Sequence, residues 1–383
     1  MTTQIRSVGL VSPRYPPAVG GLERHVEALG RGLARLGISV EVITTDPTAS
    51  LPASEECGGV LIRRFPTVGR DAVYFVAPGL GWWLWQHASR FDVLHAHSYH
   101  TPLALQAAIT SRWRGVPLII TPHYHGTGHS LVRRALHPPY RLVGRWMLRE
   151  ARRVVCVSES ERQLLHQHFG SNLTSVVIPN GVDAEALAVA LPRQKLDGRV
   201  IVLTVGRLEH YKQTERLVAA LPYLPPEYEV VVVGDGPARS ASERLARRLG
   251  VQGRLTMSGR VAQTDLLACY RTADIFVSLS RLESFGLTLL EAAAAGLNIV
   301  ASDIPAHREV AGYLPAGRIR LVSPEQSPHE LAGQIQEMRG CDHAADGEQL
   351  RLPNWDTAVE ATLECYRAAL RDGGVGPEGK ALV

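Results

Sequence analysis

Two glutamates flank the predicted start of a helix in the segment Leu282–Gly296, and their positions suit the binding of a ligand. Glu283 and Glu291 are eight residues apart, and the helix is predicted to open at Ser284-Phe285-Gly286. A wholly helical interval would span about 12 Å at 1.5 Å per residue. The free backbone N–H groups of Phe285–Thr288 would then attract an anion, helped by the helix dipole. Carboxylates on both sides of a phosphate site fit a sugar and a ribose, and a capped core helix with two surface acids also fits the spacing.

A second candidate site follows the apolar run at 199–205, which is predicted to be a strand. Arg207 and Lys212 come after its carboxyl end, where open α/β sheets bind their ligands. Two cations beside a helix N-terminus would neutralise a pyrophosphate, the arginine as a planar fork and the lysine as a point charge. Two solvated cations in a loop are the alternative interpretation.

The loop Pro16–Gly21 lies between the first predicted strand and the first predicted helix. Its adjacent glycines, Gly20 and Gly21, allow a ligand to approach the backbone closely. The loop does not match G-x-G-x-x-G, so a nicotinamide-dinucleotide site is not favoured, and the chain contains no Walker loop.

Histidines are frequent in the first half of the chain. They include His95, His97, His100, His123, His125 and His129. His-x-His occurs twice among these residues, and alternate residues of a strand place both rings on one face. No cysteine or acid nearby completes a zinc ligand set, so no metal site is predicted. His123 follows Thr121-Pro122 at the predicted end of a strand and is the better candidate for a contact with substrate. The sequence contains no G-x-S-x-G motif, so a hydrolase is not indicated.

Short apolar runs alternate with longer helical patterns along the chain, as in βα units that build parallel sheets. The predicted strands are 7–11, 38–44, 60–65, 92–95, 117–121, 153–157 and 175–178 in the first half, then 199–205, 228–233, 254–257, 274–278 and 298–302. Predicted helices include 21–36, 213–221, 238–249, 264–271, 285–295 and 328–338. The predicted fold class is α/β, with two doubly wound domains and a ligand cleft between their strand ends.

The predicted domain boundary lies near residue 190. Ala184–Arg199 contains Pro192 and Asp197-Gly198, so it is predicted to be a linker and a hinge. The first domain is predicted to cover 1–188 and the second 189–354. An amphipathic pattern at about 355–372 predicts a final helix that joins the first domain.

The formal net charge of +4 combines two unlike halves. Residues 1–183 hold 19 Arg and 12 acidic residues, whereas the remainder holds 22 Lys and Arg against 25 acidic residues. This balance argues against nucleic-acid binding and leaves the basic half for an anionic partner or a membrane surface. Leu131–Arg153, with Trp146, is a candidate interfacial helix, and Trp82, Trp83 and Trp85 are a second candidate anchor. A solvated Arg-rich face over an apolar core stripe is the alternative.

Cysteine usage and hydropathy favour a cytoplasmic protein. The five cysteines are scattered and form no C-x-x-C pair, which indicates reduced thiols. The first residues show no signal-peptide pattern. The most apolar stretch, Val73–Trp85, is shorter than the roughly 20 residues that cross a bilayer. Peripheral contact with the inner face of the membrane is left open.

Several short motifs occur in an order that resembles the retaining glycosyltransferases of family 4, from Pro16 to about Glu309. The motifs are Gly20–Glu23, Asp92–His97, Thr121–His123, Val157–Glu159, Pro179–Asp183, Gly206-Arg207 with Lys212, Val233–Pro237, Gly259–Val261, Ala273-Asp274, the Glu283/Glu291 pair, and Ala301–Asp303 ahead of Glu309. The resemblance implies a GT-B fold, in which two Rossmann-like domains face a central cleft.

The resemblance also implies a role for each matching residue. Arg207 and Lys212 would bind the donor pyrophosphate, and Glu291 would hold the ribose hydroxyls. Glu283 and His123 would contact the donor sugar, and with Arg207 and Lys212 they form the implied catalytic set. The other implied donor contacts are Gly20 and Gly21 at the phosphates, Gly259, Arg260 and Val261 at the base, and Ser284, Phe285, Gly286, Leu287 and Thr288 at the start of the helix. Asn298 and Pro305–Glu309 depart from the family pattern.

The implied reaction moves a hexosyl group from a nucleotide sugar to an acceptor hydroxyl, with front-face displacement that forms an α-glycoside. UDP-glucose or UDP-N-acetylglucosamine is favoured by family frequency, and neither a metal nor a cofactor beyond that co-substrate is expected. The expected acceptor is a small molecule, a glycan or a lipid. Two alternatives stay open: a GDP-mannose-dependent α-mannosyltransferase acting on a membrane lipid or polysaccharide, and a non-catalytic nucleotide-sugar binder.

Overall fold

Each half of the chain forms one mainly parallel sheet covered by helices. The computed structural model describes residues 4–68, 76–126, 131–194, 198–339 and 350–372, and for 131–139 it describes the backbone alone. Contacts between Cα atoms separate two compact units. Unit 1 comprises the described residues up to Asn180 together with those from Trp355 onward, and unit 2 runs from Gly181 to Asn354.

Unit 1 contains, among its described residues, a sheet of eight strands. The strands are β1 (Ser7–Val11), β2 (Ser39–Asp46), β3 (Ser54–Cys57), β4 (Val60–Pro66), β5 (Val93–His97), β6 (Leu118–Thr121), β7 (Arg153–Cys156) and β8 (Ser175–Val177). Their spatial order is β3-β4-β2-β1-β5-β6-β7-β8, and all neighbours are parallel except β3 and β4. The strand order reverses at β1 and β5, so the carboxyl ends of β1, β5 and β6 lie side by side.

The predicted strands of unit 1 are confirmed to within about two residues, but β3 was not predicted. Its sequence, Ser-Glu-Glu-Cys, has no apolar alternation, and all four residues are exposed. It pairs antiparallel with β4 at the edge of the sheet. A short, charged edge strand carries no periodic signal because it buries no side chain.

Five helices of unit 1 precede residue 180 in the described part of the chain. They are α1 (Gly21–Arg35), α2 (Pro78–His87), α3 (Pro102–Arg114), α4 (Leu131–Glu150) and α5 (Glu159–Phe169). The helix predicted at 21–36 is confirmed as α1, and its apolar residues Val26, Leu29 and Leu33 are buried against the sheet. Leu36 lies beyond the helix end and is exposed.

Unit 2 contains a sheet of six strands among its described residues. The strands are β9 (Val200–Val205), β10 (Tyr228–Val233), β11 (Leu255–Gly259), β12 (Ile275–Ser278), β13 (Asn298–Ser302) and β14 (Ile319–Val322). The helices are α6 (Ala184–Val189), α7 (Thr214–Ala220), α8 (Arg239–Arg248), α9 (Gln263–Thr272), α10 (Leu287–Ala294), α11 (Pro305–Ala311) and α12 (Pro328–Arg339). The order β11-β10-β9-β12-β13-β14 is wholly parallel and doubly wound, and it reverses between β9 and β12.

Three elements of unit 2 differ from prediction, and one of them, α11 (Pro305–Ala311), lies between two predicted elements where no helix was predicted. The predicted linker begins with α6, because the Asp183 side chain accepts a hydrogen bond from the Ala186 backbone and caps the helix. β14 was not predicted, since only Val322 among its four residues is fully buried.

The last described helix, α13 (Trp355–Asp372), packs on α1 of unit 1. A Cβ on Gly32 would lie 2.4 Å from Cγ2 of Val359, so glycine is needed for this close approach. None of the described helices is both long and apolar enough to cross a bilayer.

Some predicted features fall partly or wholly outside the described residues. They are His129, Cys341, residues 195–197 of the predicted linker and residues 73–75 of the longest apolar stretch. The described cysteines, Cys57, Cys156, Cys269 and Cys365, are free thiols.

Candidate functional site

The loops that follow β9, β10 and β11 are held together by backbone hydrogen bonds at the carboxyl edge of the unit 2 sheet. Gly206 N donates to Val233 O at 3.0 Å, and Gly234 N donates to Gly259 O at 2.8 Å. A Cβ on Gly234 would lie 1.9 Å from the Gly206 carbonyl oxygen. Glycine at 234 therefore lets the two loops touch, and this contact fixes the backbone just before Arg207.

Lys212 and Glu283 form an ion pair between two neighbouring strand ends. Lys212 ends a short 3-10 turn after β9, and Glu283 lies in the loop between β12 and α10. Their Nζ and Oε1 atoms are 2.5 Å apart, and the side chains are 20% and 15% exposed. A backbone bond from Arg281 N to Tyr211 O, 2.8 Å long, also joins the two loops. The pair lies where the strand order reverses, which is where doubly wound sheets bind ligands.

Both members of the pair are held in their charged forms. Burial acts most strongly on Lys212 and by itself would lower its pKa, but the Glu283 carboxylate raises the pKa above its ordinary value. Burial by itself would raise the pKa of Glu283, but Lys212 and, more weakly, His307 lower it below its ordinary value. The site therefore keeps one ammonium and one carboxylate over the physiological pH range.

Arg207 supplies a second cation beside the pair. It follows Gly206 in the loop after β9 and is exposed. Its charge is close enough to Lys212 to oppose the rise in the pKa of that ammonium. Of the two predicted cations, Lys212 is thus largely buried and paired, whereas Arg207 is open to solvent.

The helix that follows Glu283 begins later than predicted. α10 starts at Leu287, and Gly286 precedes it with a φ of 108°. This left-handed conformation suits glycine, and no side chain caps the helix. The interval from Glu283 to Glu291 is therefore only partly helical, and the 12 Å estimate does not apply. The first turn of α10, from Leu287, follows directly on the loop that carries Glu283.

Glu291 is a buried acid whose orientation is fixed. It is 6% exposed, and its Oε2 accepts a 2.7 Å hydrogen bond from the Tyr270 hydroxyl. Glu283 is also largely buried. The alternative interpretation of Glu283 and Glu291 as surface acids is therefore wrong.

His307, in α11, is a neighbour of this site that was not predicted. Its Nδ1 lies 2.8 Å from the Ser302 carbonyl oxygen, which only accepts, so Nδ1 carries the proton. The buried Nε2 has no hydrogen-bond partner within the described chain. A Cβ on Gly286 would lie 3.5 Å from the ring. The signal in the sequence is the segment Pro305–Glu309, which departs from the family pattern at this point.

The remaining predicted donor contacts of unit 2 are placed at the strand ends. Gly259 ends β11 with a left-handed φ of 68°. Arg260 is exposed and Val261 partly buried in the loop before α9. Ser284 is partly buried and Phe285 is buried.

In unit 1, the two predicted glycines stand at the start of α1. A Cβ on Gly20 would lie 2.4 Å from Oε2 of Glu23, so glycine at 20 makes room for this buried carboxylate. A Cβ on Gly21 would meet no atom within 4 Å among the described residues. The backbone at Gly21 is therefore open to an approaching group.

Three histidines converge at the carboxyl edge of the unit 1 sheet. His97 ends β5, His123 follows β6, and His25 lies on α1. The ring centroids are 5.2 Å apart for His25 and His97, 5.0 Å for His25 and His123, and 5.9 Å for His97 and His123. His25 was not predicted, because its partners are distant in sequence. His123 has a φ of 48°, a strained conformation for a non-glycine residue.

Burial keeps these three rings neutral. It lowers the pKa of His25 to about 4, against the weaker effect of the hydrogen bond that the ring donates to the Asn180 side chain. It also lowers the pKa values of His97 and His123 well below the ordinary value, and the neighbouring histidines act in the same direction.

The other described histidines of the first half have different surroundings. His95 is buried, with Nδ1 2.7 Å from the Tyr366 hydroxyl and Nε2 2.7 Å from the Thr121 hydroxyl. It therefore ties α13 to the sheet. His100 stacks on Tyr124, with ring centroids 5.7 Å apart, and is 5.1 Å from the ring of His125.

Family models match both halves of the chain. Glycosyltransferase Family 4 matches residues 19–186, and Glycosyl transferases group 1 matches residues 191–342. The glycogen synthase of Mycobacterium tuberculosis is 31% identical over an alignment of 412 positions, gaps included, which covers 94% of each chain. The phosphatidyl-myo-inositol mannosyltransferase of Mycolicibacterium smegmatis is 32% identical and covers 94% of this chain and 93% of its own.

Solved structures share the fold at lower identity. Sucrose-phosphate synthase from Thermosynechococcus elongatus superimposes with a TM-score of 0.79 at 22% identity, covering 96% of this chain and all of its own. An Anabaena protein, HepE, solved with UDP and glucose, superimposes with a TM-score of 0.73 at 18% identity. This match covers 94% of this chain and 99% of HepE. The chain therefore belongs to the group 1 glycosyltransferases of family 4 and is a transferase with the GT-B fold.

Proposed function

We propose that the protein transfers a hexosyl group from a nucleotide sugar to an acceptor hydroxyl and retains the α configuration. The observation that carries this proposal is the buried Lys212–Glu283 pair at the strand-order reversal of unit 2. One ammonium and one carboxylate fit the two ends of the bond that breaks in a sugar diphosphate. The ammonium suits the phosphate, and the carboxylate suits the sugar hydroxyls.

In this proposal, different residues of unit 2 bind different parts of the donor. Lys212 and Arg207 bind the diphosphate, and the N–H groups at the start of α10, from Gly286 to Thr288, add hydrogen bonds. Glu283 accepts hydrogen bonds from the sugar, next to the free Nε2 of His307. Glu291, held by Tyr270, accepts from the ribose hydroxyls. Gly259, Arg260 and Val261 contact the base. In unit 1, Gly20 and Gly21 contact the phosphates and His123 contacts the sugar.

The proposed step exchanges one bond at the anomeric carbon for another on the same face. The acceptor oxygen forms a bond to that carbon as the bond to the phosphate oxygen breaks. The acceptor proton passes to the departing phosphate, so an α-glycoside and a nucleoside diphosphate are formed. Lys212 and Arg207 stabilise the negative charge that grows on the diphosphate. The chain's own cations perform this neutralisation in the proposal, and no metal enters the step.

UDP is the favoured nucleotide, with glucose or N-acetylglucosamine as the sugar. The Anabaena protein HepE, which shares the fold, was solved in complex with UDP and glucose, and this supports the choice. A GDP-mannose-dependent α-mannosyltransferase with a lipid acceptor is the second candidate. The similarity to the phosphatidyl-myo-inositol mannosyltransferase of Mycolicibacterium smegmatis favours it.

An exposed apolar surface on unit 1 also supports a membrane acceptor. Leu142 of α4 and Trp113 of α3 are each 72% exposed, and Trp82 of α2 is 65% exposed. These helices pack side by side, α2 on α3 and α3 on α4. Residues 112–153 contain nine Arg and one acidic residue, Glu150. Exposed aromatic side chains among arginines are suited to an anionic lipid surface, and we propose peripheral membrane contact there.

A donor panel with product analysis tests the proposal. The purified chain is incubated with UDP-glucose, UDP-N-acetylglucosamine or GDP-mannose and candidate acceptors, and nucleoside diphosphate release is measured. The proton NMR spectrum of the product reports the anomeric configuration, which we expect to be α. Lys212→Met is expected to lower kcat/KM by at least 100-fold, about 3 kcal/mol of transition-state stabilisation. The matched control Arg248→Met, an exposed cation on α8, is expected to be unaffected. A β-linked product would exclude retention, and unchanged turnover in Lys212→Met would exclude the proposed site.

A further inference from the structure

Four buried ring nitrogens at the carboxyl edge of the unit 1 sheet have no hydrogen-bond partner among the described residues. They are Nε2 of His25, both nitrogens of His97 and Nε2 of His123. Buried polar nitrogens are nearly always paired, so a cluster of unpaired ones needs an explanation. The neighbouring His95 shows the usual arrangement, because both its nitrogens are bonded to hydroxyl groups.

The tautomer of His25 is determined by Asn180. The Oδ1 atom of Asn180 lies 2.7 Å from Nδ1 of His25 and only accepts hydrogen bonds, so Nδ1 carries the ring proton. Nε2 of His25 therefore carries a lone pair. A histidine that donates one N–H to an oxygen and offers the other nitrogen is the usual arrangement of a metal ligand.

The three rings are close enough to share one ion. One potential ligand nitrogen from each of His25, His97 and His123 lies within 4.8 Å of the other two. An ion equidistant from nitrogens at that limit would be about 2.8 Å from each, and zinc binds nitrogen at about 2.0–2.1 Å. Each nitrogen thus needs to move by less than about 1 Å, which small ring rotations provide.

We propose that His25, His97 and His123 bind one divalent transition-metal ion, with Zn²⁺ as the expected ion. Three histidines with an open fourth position are a known zinc ligand set, and the open position would take water or an anion. His25 and His97 are buried and His123 is partly exposed, so an ion reaches the cluster from the side of His123.

The sequence predicted no metal at the His-x-His motifs, because no neighbouring residue completed a ligand set. The fold brings the missing ligand from α1, in the segment after Gly20-Gly21. The two strand ligands come from the adjacent strand ends of β5 and β6.

Metal binding would inhibit sugar transfer, and this consequence rests on the proposed function. There, His123 contacts the donor sugar through its ring. A zinc ion held by the same ring takes up the nitrogen lone pair and places a cation where a sugar hydroxyl would bind. Zn²⁺ is therefore expected to lower turnover, and a chelator is expected to restore it.

Zinc titration of the full chain, freed of metal with EDTA and without any nucleotide, tests the site. Competition with a chromogenic chelator should show one Zn²⁺ bound per chain, and Co²⁺ should give the intense visible absorption of a four-coordinate ion. His97→Gln should weaken zinc binding at least 100-fold, and Asn180→Ala, which keeps all three ligands, about 10- to 100-fold. The control His329→Gln, an exposed histidine on α12, should bind as the wild type does. Thermal unfolding of each metal-free variant reports whether it is folded.

The site is overturned if the wild type binds no stoichiometric zinc, or if folded His97→Gln binds zinc as tightly as the wild type. If His97→Gln does not fold, the wild type alone tests the site. A wild-type Co²⁺ spectrum without the intense visible absorption of a four-coordinate ion then also overturns the site. Because these titrations contain no nucleotide, their failure leaves the proposed function untouched. Conversely, if the wild type binds one zinc ion per chain and its turnover is unchanged, the proposed inhibition is wrong but the proposed metal site is supported.

Discussion

Replacing Lys212 by methionine removes the charge that balances Glu283 inside unit 2. Removing one partner of a buried ion pair costs about 3–5 kcal/mol, because the other charge stays in a poorly solvated place. The two side chains keep 20% and 15% exposure, so water offsets part of this cost. We therefore expect a loss of about 3 kcal/mol in the free energy of unfolding. For a unit of this size, the corresponding fall in Tm is roughly 6–12 °C.

The double variant Lys212→Met/Glu283→Gln separates stability from function. Glutamine removes the unbalanced charge, so the double variant should recover about 2 kcal/mol relative to the additive expectation. Turnover should not recover, because the donor phosphate has lost its cation and the sugar its carboxylate. Urea unfolding followed by circular dichroism gives the stabilities, and nucleoside diphosphate release gives the turnover. Arg248→Met serves as the control and should change neither quantity.

The stability difference between the wild type and Lys212→Met depends on pH, and this dependence follows from the two pKa shifts. The pKa of Glu283 is lowered in the folded state, so its contribution is complete above the ordinary value of about 4.5 and disappears as the pH falls through the lowered pKa. The pKa of Lys212 is raised, so its contribution is complete below about 10.5 and disappears as the pH rises through the raised pKa. The difference in the free energy of unfolding between the wild type and Lys212→Met should be constant between these two pH limits and should shrink outside them.

Three results would refute this reasoning. A loss below about 1 kcal/mol in Lys212→Met would show that the pair behaves as a surface ion pair. If the change in unfolding free energy of the double variant equalled the sum of the changes in the two single variants, the two charges would not interact. If turnover recovered in the double variant, the pair would have a structural role alone.

Three further predictions concern separate features. Gly234→Ala should lose about 3 kcal/mol or more of unfolding free energy in urea, since its Cβ would clash with a carbonyl oxygen, whereas Gly253→Ala, in open space without a positive φ, should lose less than about 1 kcal/mol. Tyr270→Phe should raise KM for the donor about tenfold with little change in kcat, because Glu291 loses the hydrogen bond that orients it. Trp113→Ser should reduce sedimentation with vesicles that contain anionic lipid, relative to the wild type at low salt.

Each of these has a contradicting outcome. Equal stabilities of the two alanine variants would show that residue 234 tolerates a side chain. A fall in kcat at unchanged KM in Tyr270→Phe would place Glu291 in the chemical step instead of in donor binding. Wild-type protein that stays in the supernatant with anionic vesicles would favour a soluble acceptor.

Local sequence patterns predicted most of the strands and helices, because buried parallel strands are continuous apolar runs and helices carry their own period. The exceptions have a physical reason. β3 is charged and exposed, and β14 buries few side chains, so neither carries a pattern. α6 falls within the predicted linker, because its six residues are too few to show helical periodicity.

Residues of the candidate site that share one motif were predicted, and those assembled by the fold were not. Glu283 and Glu291 were found because they lie in one short segment, and Lys212 because it follows a strand. His25 and His307 depend on contacts between distant segments, and sequence spacing contains no information about such contacts. The ion pair between Lys212 and Glu283 was also invisible, since 71 positions separate its members.

Calorimetric titration with UDP and with GDP tests the central claim, that unit 2 binds a nucleoside diphosphate through Lys212. One of the two nucleotides should bind the wild type at one site per chain. In Lys212→Met its affinity should fall about 10- to 100-fold, the value of one hydrogen bond between charged groups, while Arg248→Met should bind as the wild type does. Equal affinities of Lys212→Met and the wild type for that nucleotide would contradict the account.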